Sequence, residues 1–87
     1  MAARLEGEVE VGTRDAILQA ALEGFPTRIT IFEGGDTLRG QSWQMLCRNE
    51  FEVMWRLKET GFEDGADLAW VIPVSKMPAD FDLRDLS

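Results

Sequence analysis

The chain has 87 residues, 45% of them apolar, and carries a net charge of −7 from 16 acidic and nine basic side chains, with no histidine, no tyrosine and one cysteine. That length makes one domain with a modest core. The acid excess argues against a nucleic-acid or anionic-membrane surface, the missing histidine removes the commonest general base and zinc ligand, and one thiol can build neither a disulfide framework nor a thiolate metal centre.

Taken in chain order, "RLEGEVEV" alternates Leu5, Val9 and Val11 with Glu6, Glu8 and Glu10, the period of a strand with one wet face. Gly7 breaks the apolar row and predicts a bulge or an edge position. "TRDAILQAALEGFP" reads as a helix over about 13–24. Thr13 can cap it, Asp15 sits in the positive first turn, and Ile17, Leu18, Ala21 and Leu22 form a stripe. Gly24 followed by Pro26 supplies the stop. "TRITIFEGGDTLRG" predicts a strand, a turn at Gly34-Gly35 and a short return strand.

The stretch "GQSWQMLCRNEFEVMWRLKETGF", residues 40–62, fits two periods. As a strand pair it offers Trp43, Met45 and Cys47, then Phe51, Val53, Trp55 and Leu57, joined by a turn at Arg48-Asn49-Glu50 that lacks glycine. As a helix, at about 100° per residue, it places Trp43, Leu46, Cys47, Phe51, Met54 and Leu57 on one broad face, with Met45 the misfit. Ser42 as a cap, Lys58 in the last turn and Gly61 as a left-handed stop favour a helix over about 42–60.

"EDGAD" reads as a loop, "LAWVIPV" as a strand buried on both faces or ending at Pro73, and "SKMPADFDLRDLS" as a tail. The expected fold is a small α+β domain over 1–75, a three- to four-stranded, mainly antiparallel sheet with two helices on one face, followed by an acidic-hydrophobic tail over 76–87. Ile17, Leu22, Ile31, Leu46, Phe51, Trp70 and Ile72 are the expected core.

Candidate chemistry is thin. Cys47 reads as a small apolar residue on a helix face rather than a reactive thiol. "EGGDTLRG" lacks the lysine of a phosphate loop, and Glu33 and Asp36 would repel a phosphate. Glu63, Asp64 and Asp67 lack the spacing of a calcium loop. No catalytic residue, metal or cofactor is expected. The N-terminal stretch has no apolar core of a signal peptide, which together with the lone cysteine points to a cytoplasmic setting.

The charge layout carries more. Residues 1–25 have a net charge of −3, residues 26–61 are neutral, and residues 62–87 have −4. The tail sets Phe81, Leu83 and Leu86 among Asp80, Asp82 and Asp85, and Glu63, Asp64 and Asp67 add to the same end. Met45 and Trp55 are the apolar residues a helix-on-sheet fold would leave exposed. These ten residues, Leu86 apart, are the candidate partner-binding set. The expected function is a non-enzymatic protein-interaction module, such as a phage-type inhibitor of a host nucleic-acid-binding machine that docks on a basic surface. The alternative is a structural or accessory subunit, a homo-oligomer or part of a larger assembly, with an apolar interface.

Overall fold

The computed structural model describes residues 4–39 and 42–78. Its elements run β1 (Val9–Val11), α1 (Arg14–Ala21), β2 (Thr27–Phe32), β3 (Ser42–Cys47), α2 (Glu50–Thr60) and β4 (Leu68–Pro73). The four strands form one antiparallel sheet in the order β1-β4-β2-β3. β1 and β2 are both antiparallel to β4 and so parallel to each other, with β4 between them. β3 and β4 stand in the same relation around β2. Each helix therefore links two parallel strands split by a third, a doubled split βαβ arrangement.

The fold is the expected α+β domain, with both helices on one face of a four-stranded sheet. Ile29 and Ile31 on β2, Met45 and Cys47 on β3, and Ala69 and Val71 on β4 all point to that face. They pack against Ile17 and Ala21 of α1 and Val53 and Leu57 of α2. Among the described residues no helix covers the other face, yet Thr30, Phe32, Trp70 and Ile72 are buried on it. Phe32 and Trp70 stack there, with ring centroids 4.5 Å apart and planes tilted by 58°. The segment before β1 folds onto this face. Glu8 accepts the Leu5 N–H through one carboxylate oxygen and Arg28 Nη2 through the other, at 2.9 and 2.6 Å. Both side chains of that ion pair are buried.

The helix expected over 42–60 is two elements. Ser42–Cys47 is a strand, paired along its length with β2, with Met45 opposite Ile29 and Trp43 opposite Ile31. Period two rules it: Met45 and Cys47 are buried, while Ser42 and Gln44 are exposed. Met45, which fits no helical stripe, is 0% exposed and lies in the core. The chain then turns at Arg48-Asn49 and restarts as a helix, with the Asn49 side-chain oxygen accepting the Glu52 N–H at 2.8 Å. Because the helix begins at Glu50, its phase is its own. Val53 and Leu57 face inward and Phe51 faces out, contrary to the expected core. Leu46, on the opposite face of β3, is half-buried.

Smaller differences have local causes. The helix expected over 13–24 ends at Ala21, since the next amides, of Glu23 and Gly24, bond three residues back to Ala20 and Ala21 and tighten the turn. Leu22 is consequently 48% exposed rather than in the core, and Gly24 does not take the left-handed conformation. Gly34 and Gly35 do, at φ 74° and 75°. No return strand follows at once, because the Asp36 carboxylate accepts the Leu38 and Arg39 amides and holds them in a turn. Thr13 caps α1 and Gly61 ends α2 in the left-handed region, as expected. The described residues include no helix long and apolar enough to cross a membrane.

Candidate protein-docking surface

α2 is fixed to the sheet by Val53 and Leu57, four residues apart on one side of the helix. Fixing that side turns Phe51, Met54 and Trp55 outward, where they are 75%, 57% and 61% exposed. Three large apolar side chains thus share one face of an 11-residue helix. Charged neighbours are partly paired with each other, Arg48 just before the helix with Glu52 and Arg56 with Glu59, both at 3.7 Å. Between α1 and α2 runs a groove of about 390 Å³, with Leu18, Met54 and Leu57 as apolar lining and Arg14, Asp15 and Lys58 as its charged rim.

The expected site residues fall in four groups. Trp55 stands exposed on the α2 face. Met45 lies in the core beneath the helices and is removed from any surface. The acidic loop residues are engaged within the molecule. Asp67 accepts the amides of Gly34 and Glu63 through its two oxygens, at 2.8 and 2.9 Å. Asp64 accepts the backbone N–H and the Nε–H of Arg14, at 3.0 and 3.2 Å. Gly65 donates to the Gly12 carbonyl. These bonds bolt the loop between α2 and β4 to the start of α1 and to the turn after β2. Glu63 is exposed. The tail residues Asp80, Phe81, Asp82, Leu83 and Asp85 lie outside the described residues.

Phe51 and Met54 were not legible as exposed, because the phase of α2 depends on where it starts. The signal that sets it is present, since Asn49 followed three residues later by Glu52 is a helix-start pattern. Cys47 is 0% exposed, and burial first, then the nearby Glu52 carboxylate, pushes its thiol from 9.0 up to about 11. It is a packing residue with its proton held. Among the described residues no group of three histidine, cysteine, aspartate or glutamate side chains gathers closely enough to hold a metal ion. Compared with known proteins, the chain matches no family model, no curated protein and no solved structure.

Proposed function

We propose that this chain is a non-enzymatic protein-interaction module whose docking surface is the outer face of α2. One observation carries the reading: Phe51, Met54 and Trp55 stand exposed side by side on a helix that packs on the core through Val53 and Leu57. Isolated exposed apolar residues are ordinary, whereas a contiguous group with two aromatic rings is the composition of an interface centre. The non-enzymatic part rests on composition, since neither a histidine nor a second thiol is available to activate a nucleophile or move a proton.

The test is site-specific photo-crosslinking in the native host. A photoreactive phenylalanine analogue in place of Trp55 is expected to form protein adducts, and the same analogue in place of the exposed Gln19 on α1 is not. Equal labelling at both positions, or none at either, overturns the proposal.

A second reading is favoured by a separate observation. Glu6, Gly7, Lys76 and Pro78 line one cavity of about 440 Å³, so residues 6–7 lie beside residues 76–78. That juxtaposition suits a charge-steered contact between the acidic ends and a basic partner, as in a phage-type inhibitor that occupies a phosphate-binding surface. The two readings differ in salt response. A steered contact weakens as salt rises, and an apolar α2 contact hardly does.

A further inference from the structure

Resting on the α2 reading, we infer that the occupant of this face is a second copy of the chain, docked antiparallel about a two-fold axis through Met54. The argument begins from the spacing of charge. Glu50, Met54 and Lys58 are successive positions four apart, so they form one row down the helix, with Met54 midway and each charge about 6 Å away along the axis. Glu50 and Lys58 are both exposed. Neither has an ion-pair partner among the described residues, unlike Arg48, Glu52, Arg56 and Glu59.

Acid at the start of a helix and base at its end are what the macrodipole favours in any helix. What is not ordinary is an exposed apolar residue at the midpoint of that charge pair. A two-fold axis there places Glu50 of each copy beside Lys58 of the other, and Met54 against Met54. Such a contact is isologous and closes at two copies.

The same axis finds a seat for the aromatic pair. The groove between the helices is lined from α2 by Met54, Leu57 and Lys58 and not by Phe51 or Trp55, so the two rings lie on the side of Met54 away from α1. Rotation by half a turn brings the rings of one copy to the α1 side of the other. Phe51, three residues before Met54, then comes level with Leu57, three residues after it, over the groove of about 390 Å³. Apolar centre, charge pairs and groove are satisfied by one operation.

Sedimentation velocity on the full chain tests this. The wild type is expected to be dimeric at about 100 μM and to dissociate on dilution, the range of a micromolar contact. Phe51→Ser with Trp55→Ser is expected to be monomeric throughout. Glu50→Lys and Lys58→Glu each set like charges together twice and should weaken association about tenfold or more. An equimolar mixture of those two variants restores both pairs, so it should dimerise where neither variant does alone. If either single variant fails to fold, Glu50→Lys combined with Lys58→Glu in one chain is expected to associate as the wild type does. Independently, Met54→Cys should form a covalent dimer under mild oxidation, with the buried Cys47 silent.

A wild type that stays monomeric at about 100 μM overturns the inference, as does a mixture or a doubly reversed chain that fails to associate. If the wild type is monomeric while the analogue at position 55 still captures another protein, only the identity of the occupant is wrong. If neither happens, the docking surface itself is refuted.

Discussion

At Cys47 the pH dependence can be worked out in sign. The folded chain holds the thiol proton to about 11, above the ordinary 9.0. The proton therefore stabilises the fold fully below pH 9, and that contribution is lost as pH rises through 9 toward 11, by roughly 2 kcal/mol. Urea unfolding at pH 8 and pH 10.5 should show a steeper alkaline loss for the wild type than for Cys47→Ala, and the folded thiol should react slowly with a disulfide reagent until urea is added. The neighbouring core gives a second contrast. Met45→Ala deletes a fully buried side chain and should cost about 2–5 kcal/mol, whereas Phe51→Ala, at an exposed site, should cost less than about 1 kcal/mol in the monomer. The reverse order in urea denaturation would mean a continuous helix through residues 42–60. A third contrast lies in the buried pair of Glu8 and Arg28. Glu8→Gln leaves a guanidinium facing a neutral group and should cost about 3 kcal/mol or more, while Glu8→Leu with Arg28→Met should be milder. Thermal melts of the three chains check it.

The elements are shaped by their ends, and substitutions there report on the ends. Asn49→Ala removes the cap that restarts the chain as α2 and should cost about 1 kcal/mol. Gly61 takes φ 72° with open space where a Cβ would stand, so Gly61→Ala should cost about 1 kcal/mol from backbone conformation alone. Unfolding by urea measures both. The same ends explain what could be read beforehand. α1 and β4 are legible because each has one unmixed pattern: a helical stripe started by Thr13 in α1, and an unbroken apolar run from Leu68 to Pro73 in β4. β3 and α2 are not, because a period-two segment abuts a period-3.6 segment with two residues between them. Summed over both, the apolar positions mimic one long stripe, and Ser42, a plausible cap, hid the better one at Asn49. Met45 was the residue that betrayed the error, since it fitted the strand and not the helix. The candidate site inherited the fault. The expected helix over 42–60 turns Phe51 and Met54 inward, whereas the start at Glu50 turns both to solvent; Trp55 is exposed, as expected. No sequence period distinguishes the two phases until the starting residue of α2 is fixed.

For the whole molecule, the consequence lies in the position of β4. Of the described strands, it is the last in the sequence, yet it sits inside the sheet, with β1 on one side and β2 on the other. The hairpin of β2 and β3 can form from neighbouring residues, but β1 has no hydrogen-bonding partner until residues 68–73 arrive. Loop closure across that separation must precede any reward from the pairing. The first half of the chain therefore has no independent stability to offer. Chains ending before Leu68 are expected to show no protected amides in Val9–Val11 by hydrogen exchange, and the full chain should unfold in one transition followed equally by tryptophan fluorescence and far-ultraviolet dichroism. Until β4 is made, the sheet thus lacks its interior strand, and β4 completes the domain by filling the place between β1 and β2.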